Sequence, residues 1–243
     1  MLKHLIERFF PVATEDFNAA PREVWLQKTL AALPPGNRIL DAGAGELDKK
    51  KYCTHLVYVA QDFGQYSGEG DGKGLQTGAW DQSRLDIVSD ITAIPEPDAS
   101  FDAILCVEVF EHLPDPFSAL QEFSRLLKPG GRLILTAPFC AFTHFAPYFF
   151  HTGFSPYWYQ THLPEYGLEV LELTPNGNFS SYLMQEVTRI PSMAERYAGI
   201  TPTRWECLGL RIVKSFLSRM IARDKTSQEF TCFGYHVLAG KQD

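Results

Sequence analysis

The stretch Ile39-Leu40-Asp41-Ala42-Gly43-Ala44-Gly45-Glu46 decides the fold class of this chain. An apolar run ends in an acidic residue and continues into a turn with two glycines, which is typical of a buried strand whose end approaches a ligand. A dinucleotide pattern places a third glycine where this chain has Asp48, and Asp41 stands where a pyrophosphate would approach. A tight strand-to-helix turn that binds nothing is the alternative.

Predicted strands and helices alternate around this turn. Helices are predicted at 21–33 and 116–128, and strands at 38–41, 56–62, 85–89, 101–107, 132–137, 168–173 and 230–239. Such alternation predicts an α/β fold with a doubly wound, mostly parallel sheet and right-handed crossovers. The segment 63–81, rich in glycine and polar residues, is predicted to be a loop.

Composition limits the class of protein. The 243 residues are 45% apolar and 21% charged, which fits one large domain, or one with an inserted cap. The net charge of -7 and the lack of a dense basic stretch indicate no nucleic-acid partner. Five cysteines without C-x-x-C spacing, and a segment 1–10 unlike a signal peptide, favour the cytoplasm.

An acidic turn suits a cationic ligand. S-adenosylmethionine carries a sulfonium and an ammonium and no phosphate, so Asp41 favours it over a dinucleotide. Asp62 ends the second strand about twenty residues after the turn, where a carboxylate can accept hydrogen bonds from ribose hydroxyls. Asp62 does not distinguish the two cofactors, because both contain ribose.

The ordered set of motifs resembles the class I S-adenosylmethionine-dependent methyltransferases, in the small-molecule, methyltransferase type 11-like branch. The motifs are Asp41 to Gly45, Asp62, Asp90-Ile91, Phe101 to Leu113 and Leu127 to Leu135. The resemblance covers roughly residues 20–175 and the last strand. It implies a seven-stranded sheet whose seventh strand is antiparallel. The chain departs from many members at Leu47, which stands where they have a third glycine.

The resemblance also implies the residues that bind S-adenosyl-L-methionine. They are Asp41, Gly43, Ala44 and Gly45 at the methionine moiety, Asp62 and Phe63 at the ribose and adenine, Asp90 and Ile91 at the adenine amino group, and Val107 and Glu108 beneath the sulfonium.

Glu108, Glu111 and His112 form an E-x-x-E-H string that could hold a divalent metal together with a later histidine. Metal-dependent small-RNA 2′-O-methyltransferases show a similar cluster. The string is also common in metal-free members of the resembled branch, so we expect no metal here. His112 is then a candidate general base, because histidine titrates near the working pH.

An aromatic segment, 139–166, follows the fifth strand. It leaves the edge of the sheet where ligands bind in open α/β folds, so we expect it to form a wall over the substrate. His144 and His151 within it are alternative candidates for the base, although each could simply make a structural hydrogen bond.

Residues 176–228 separate the last two predicted strands. Asn178 to Asp224 is predicted to form two helices broken near Gly199 and Pro202. Because a hairpin needs far fewer residues, we expect this insertion, with 139–166, to cap the cofactor-binding core at 20–175 and 229–243. A dimer contact is the alternative, and membrane contact through the basic second helix is less favoured.

The sequence thus predicts a methyltransferase that uses S-adenosyl-L-methionine and methylates an oxygen of a small molecule, such as a sugar, a polysaccharide precursor or a secondary metabolite. Two rivals remain. One is a non-catalytic protein that kept the cofactor-binding fold, and the other is a nicotinamide-dependent oxidoreductase.

Overall fold

The computed structural model describes residues 8–242, so most of the segment examined for a signal peptide lies outside the described residues. Within this range the chain forms a seven-stranded sheet with the order β3-β2-β1-β4-β5-β7-β6. The strands are β1 (Arg38–Ala42), β2 (Val57–Asp62), β3 (Ile87–Val88), β4 (Phe101–Val107), β5 (Leu127–Pro138), β6 (Leu168–Asn176) and β7 (Gly234–Lys241).

The pairing of the strands confirms the predicted doubly wound sheet. β1 pairs in parallel with both β2 and β4, and β2–β3 and β4–β5 are also parallel. β7 pairs antiparallel with β5 along its whole length, from Arg132 opposite Gly240 to Pro138 opposite Gly234. The carboxyl ends of β1, β2 and β4 therefore meet at one edge of the sheet.

Five α-helices are described: α1 (Ala19–Ala31), α2 (Pro116–Leu126), α3 (Pro156–Glu165), α4 (Phe179–Ala198) and α5 (Arg204–Ile221). Several of these helices begin or end at residues that cap the free backbone groups. Asp115 accepts hydrogen bonds from the backbone N–H groups of Phe117 and Ser118 at the start of α2. α4 ends at Gly199 in the left-handed conformation, and Thr203 caps α5, as the predicted break required.

Several boundaries differ from the sequence-based expectation. β5 begins at Leu127 rather than Arg132, and its register with β4 shifts between Phe101 and Ala103. β7 begins at Gly234 rather than Phe230, because a short 3₁₀ turn occupies Ser227–Glu229. The third strand is only two residues long.

The connection from β1 to β2 differs from the family pattern at a single residue and in its secondary structure. Leu47 replaces the expected third glycine and has φ +66°, the left-handed conformation that favours glycine. Among the described residues no α-helix follows the turn, and only a 3₁₀ turn at Lys50–Tyr52 precedes β2. Leu47 is buried and packs against Ala44 and Ala60, which offsets part of the backbone strain.

Backbone contacts divide the chain into two compact units. The larger unit, Arg22–Thr174 with the residues from Gly234 onward, has a core in which Leu26 and Leu30 of α1 pack with Ile39, Leu105 and Ile134 of the sheet. The smaller unit comprises residues up to Pro21 and Pro175–Phe233, and in it α4 packs on α5. None of the described helices is both long and apolar enough to cross a membrane.

Candidate active site

A cavity of about 860 Å³ lies at the carboxyl ends of β1, β2 and β4, within the larger unit. All ten residues that the sequence assigned to the cofactor line it: Asp41, Gly43, Ala44, Gly45, Asp62, Phe63, Asp90, Ile91, Val107 and Glu108. They come from four separate stretches of chain, so the fold brings together what the sequence presents apart. Their individual roles toward a ligand stay predictions.

The glycine turn is held against the end of β2. The N–H groups of Gly43 and Ala44 donate to the carbonyl of Gln61, each at 2.9 Å. Gly43 has φ +80°, and a Cβ at this position would lie 2.5 Å from Cγ2 of Val109. Position 43 therefore requires glycine, both for its backbone angle and because Val109, just after β4, lies so close to it.

Asp62 already has three hydrogen-bond donors around it. Its Oδ2 accepts from the N–H of Gly45 at 3.0 Å, and its Oδ1 accepts from the N–H of Gly64 at 2.9 Å and from Nε2 of Gln82 at 3.2 Å. A carboxylate has about four acceptor positions. Gln82 would therefore have to move if Asp62 bound both hydroxyls of a ribose.

Asp41 is buried at the end of β1, with 2% of its surface exposed. Burial raises the pKa of this carboxyl to about 6, although the Tyr58 hydroxyl, which donates to Oδ2 at 2.5 Å, and the charge of Lys49 oppose the rise. A cation placed in the cavity would lower the pKa again, so Asp41 has an electrostatic preference for a positively charged ligand.

Glu108 closes the end of β4 in a strained conformation with φ +55°. Its Oε2 pairs with Arg22 at 3.0 Å, and its Oε1 accepts from the hydroxyl of Thr136 at 2.9 Å. Elsewhere on the cavity lining, Oδ1 of Asp90 accepts hydrogen bonds from both the backbone N–H and the hydroxyl of Thr92. These contacts fix both carboxylates before any ligand binds.

An aromatic wall borders the cavity, and it is built from two loops. Phe145 and Tyr148 come from the aromatic segment after β5, whose role as a wall over the substrate stays a prediction. Tyr66 and Trp80 come from the 63–81 loop and were not predicted, since single aromatics in a glycine-rich stretch give no periodic signal. Tyr66 stacks on Phe145 with ring centroids 4.8 Å apart.

Backbone hydrogen bonds join these two loops. The N–H of Leu75 donates to Thr143, the N–H of Phe145 donates to Leu75, and the N–H of Asp71 donates to Ala146, at 2.9–3.0 Å. A Cβ at Gly74 would lie 2.3 Å from the carbonyl oxygen of Thr143. The glycines of the 63–81 loop therefore permit a close approach to the aromatic segment.

The three candidate bases occupy different environments. His112 lines the cavity, whereas His144 and His151 are not among its lining residues. Burial and the neighbouring His144 lower the pKa of His112 to about 4, which makes it a weak proton acceptor near neutral pH. Burial alone would lower the pKa of His144, but the Glu111 carboxylate and the Phe142 carbonyl raise it.

The E-x-x-E-H string does not converge as a unit. Glu108 is directed to Arg22 and Thr136, while Glu111 and His112 meet His144 from the aromatic segment. One possible ligand atom from each of these three residues lies within 4.8 Å of the other two. Sequence order alone could not choose between His144 and His151 as the later histidine.

Comparisons with known proteins agree with this geometry. Residues 54–135 match the model of a methyltransferase domain family. A ubiquinone biosynthesis O-methyltransferase of Xanthomonas axonopodis pv. citri (strain 306) is 42% identical over 116 residues, which cover 42% of this chain and 44% of the relative. The chain spans less than half the length of the curated relatives it matches.

Two solved structures share the fold. A SAM-dependent methyltransferase from Archaeoglobus fulgidus aligns with a TM-score of 0.56 and 15% identity, covering 99% of this chain and 100% of its own. The [4+2]-cyclase SpnF aligns with a TM-score of 0.56 and 19% identity, covering 95% and 86%. The chain therefore has the class I S-adenosylmethionine-dependent methyltransferase fold, with a methyltransferase domain sequence at 54–135, which confirms the resemblance seen in the sequence.

Proposed function

We propose that this protein is an S-adenosyl-L-methionine-dependent methyltransferase that methylates an oxygen atom of a small molecule. The observation that carries the proposal is the single cavity at the strand ends, which collects all ten residues that the family pattern assigns to the cofactor. The similarity to ubiquinone biosynthesis O-methyltransferases supports oxygen as the acceptor.

The residues present fit the cofactor. The turn at Gly43 leaves no room for a side chain, so the backbone can approach a ligand closely. Asp41 supplies negative charge where a sulfonium and an ammonium would lie, and the turn has Asp48 in place of the third glycine of a dinucleotide pattern. Asp62 and Asp90 line the same cavity, and the family pattern assigns them to the adenosine.

The bound cofactor would supply an electrophilic methyl group on a sulfonium. Transfer to a hydroxyl would exchange the carbon–sulfur bond for a carbon–oxygen bond, and the hydroxyl proton would pass to a base or to water. Because the positive charge on sulfur would be lost, the residues of this chain would contribute alignment more than charge stabilisation. The lowered pKa of His112 also supports a main role for alignment, because a weak base would lower the activation barrier of methyl transfer only slightly.

The substrate side is proposed from the aromatic wall. Phe145, Tyr148 and Phe150 line the cavity together with Tyr66 and Trp80. Aromatic faces of this kind stack on planar rings and on the apolar faces of sugars. A small hydroxylated ring compound is therefore the substrate class that the cavity supports best.

Calorimetric titration with S-adenosylmethionine, S-adenosylhomocysteine, NAD and NADP tests the cofactor. We expect saturable binding of the first two and none of the nicotinamide cofactors at comparable concentrations. Tighter binding of either nicotinamide cofactor would refute the proposal in favour of an oxidoreductase.

A second candidate is a protein that binds the cofactor and does not transfer its methyl group. The fold shared with a [4+2]-cyclase motivates it, because one fold accommodates unrelated reactions. Incubation with methyl-labelled cofactor and a panel of hydroxylated ring compounds separates the candidates. Labelled product and stoichiometric S-adenosylhomocysteine support the methyltransferase, whereas binding without turnover over a broad panel favours the second candidate.

We also propose that the enzyme works in the cytoplasm and on free small molecules rather than on nucleic acid. The odd number of cysteines without paired spacing supports the first expectation, and the net charge of -7 supports the second.

A further inference from the structure

Three side chains converge beside the cavity although they come from two distant parts of the sequence. Glu111 and His112 lie on the short 3₁₀ turn Phe110–His112 that follows β4, and His144 lies in the loop after β5. Oε1 of Glu111 is 3.7 Å from Nε2 of His112 and 3.6 Å from Nε2 of His144. The three groups thus surround one small space.

Glu111 is the least expected member of this cluster. Its side chain is 1% exposed, and within residues 8–242 neither carboxylate oxygen has a hydrogen-bond donor at bonding distance. Burying a carboxylate without hydrogen bonds is costly unless a cation neutralises it. The carboxylate lies between two imidazoles, and the Nε2 atoms of both are just beyond hydrogen-bond distance from it.

The two histidines are oriented by backbone carbonyls. Nδ1 of His112 lies 2.5 Å from the carbonyl oxygen of Tyr148, and Nδ1 of His144 lies 2.8 Å from that of Phe142. Each Nδ1 must carry the proton to donate to a carbonyl, so in the neutral ring each Nε2 presents a lone pair toward Glu111. Histidines that bind metals are typically oriented by such a hydrogen bond from their other ring nitrogen.

We propose that Glu111, His112 and His144 form a binding site for a divalent transition-metal ion of the zinc type. Two ligands of a tetrahedral zinc ion, each bound at about 2.0–2.1 Å, are about 3.4 Å apart, close to the 3.6 and 3.7 Å separations seen here. Two imidazoles and one carboxylate favour zinc, iron or cobalt over magnesium, which prefers oxygen ligands. This assignment departs from the metal-free site that the sequence favoured, and it excludes Glu108 from the ligands.

The ion would hold the cavity wall in place. The carbonyl of Glu111 already accepts from the N–H groups of Phe150 and His151, at 2.9 and 3.1 Å. His112 stacks on Phe145 with ring centroids 5.0 Å apart and an angle of 17°. A metal that joined Glu111 and His112 to His144 would therefore fix Phe145 and Phe150 at the edge of the cavity, which is a positioning role.

Binding of Co²⁺ and Zn²⁺ to the full chain tests the site without any activity assay. The chain is first stripped with a chelator and then titrated with Co²⁺, whose visible absorption reports tetrahedral nitrogen and oxygen ligation, and with Zn²⁺ in competition. We expect one equivalent per chain, and a rise in the melting temperature of about 5–10 °C at a hundredfold excess over the Kd. Mg²⁺ should produce neither effect.

Three variants complete the experiment. His144→Ala and Glu111→Gln should lose the Co²⁺ spectrum and the thermal shift, whereas His162→Ala, which removes a histidine paired with Glu165 outside the cluster, should retain both. Metal-free Glu111→Gln should melt no lower than the metal-free wild type, because it removes an unpaired buried charge, so its loss of binding cannot be ascribed to unfolding. Equal Co²⁺ binding by His144→Ala and His162→Ala would overturn the proposal, as would a response to Mg²⁺ alone.

Discussion

Asp62 serves the structure and the predicted cofactor site with the same carboxylate. It accepts from Gly45 and Gly64 and thereby joins the glycine turn to the loop after β2. We expect Asp62→Ala to weaken binding of S-adenosylhomocysteine about 10–100-fold, which corresponds to about 1–3 kcal/mol for an unpaired buried hydrogen-bonding site. Calorimetry gives the dissociation constant.

Asp86→Ala is the matched control for that experiment. Asp86 also accepts a backbone hydrogen bond next to β2, from Ala60, but it does not line the cavity. The control should bind the ligand as the wild type does. If folded Asp62→Ala showed an unchanged dissociation constant, Asp62 would be removed from the site.

His236 predicts a pH dependence of stability that is separate from ligand binding. It is buried in β7 and stacks on Trp25 with ring centroids 4.9 Å apart. Burial and then the charge of Arg22 lower its pKa in the folded chain to about 4, below the 6.5 of an unfolded histidine. The unfolded state therefore binds more protons between about pH 4 and 6.5, and the free energy of unfolding falls as the pH is lowered through this range.

We expect this group to remove about 2 kcal/mol of stability between pH 7.5 and pH 5. His236→Phe preserves the aromatic contact and cannot take up a proton. Urea unfolding of both proteins at the two pH values isolates the contribution, because all other groups cancel in the difference. Parallel losses of stability in the two proteins would contradict the assignment.

At the residue scale, the convergence of the proposed cofactor residues on one cavity could be predicted from sequence. Asp41, Asp62 and Glu108 stand at or just after strand ends, and parallel strands bring their carboxyl ends to one edge. The contact of His144 with Glu111 could not be predicted, since it depends on how a loop folds back over the sheet. The contribution of Tyr66 and Trp80 to the cavity lining could not be predicted either, because single aromatic residues in a glycine-rich loop give no periodic signal.

At the scale of single elements, the connection from β1 to β2 offers a test of backbone strain. Leu47 adopts φ +66° and is buried, so its side chain and its backbone have opposite effects on stability. Leu47→Ala should destabilise the chain by about 2 kcal/mol through lost packing. Leu47→Gly should be less destabilising than Leu47→Ala by about 0.5–1 kcal/mol, because glycine adopts this angle without strain.

The same pair of substitutions at Leu26 provides the control. Leu26 is fully buried inside helix α1, where glycine is less stable than alanine by about 0.5–1 kcal/mol. The order of the glycine and alanine variants should therefore reverse between the two positions in denaturant unfolding. An identical order at both positions would show that the angle at Leu47 carries no strain.

The elements themselves were predicted to differing degrees. The paired helices α4 and α5 have clear apolar periodicity and capping residues, and both were predicted with their break. Helix α3 was missed, because aromatic residues occupy several of its faces and Pro164 lies within it. β5 was predicted too short, because Pro129-Gly130-Gly131 indicates a turn even though the strand runs through it.

For the whole molecule, hydrogen exchange shows which parts respond to the ligand. Every lining residue of the cavity belongs to the larger unit, and the wall is formed by the loops at 63–81 and 139–151. We expect S-adenosylhomocysteine to slow exchange in these loops by about tenfold or more, with little change in helix α3, none of whose residues lines the cavity. The same data test the sequence-based expectation that 176–228 forms part of a cap, since a cap would gain protection as well. Unchanged exchange in both loops would contradict the proposed site.

The backbone hydrogen bonds that join the 63–81 loop to the segment after β5 form a seam, and this seam has a consequence for the order in which the chain folds. Leu75 meets Thr143 and Phe145 across roughly seventy residues of intervening chain, which includes β3, β4 and all of β5. Closing so long a loop is unfavourable until those strands have paired, so the seam forms after the main folding barrier. A ligand that depends on the seam then stabilises contacts absent from the transition state. It should lengthen the lifetime of the native protein without making the chain fold faster, so a folded molecule should persist longer when the ligand is abundant.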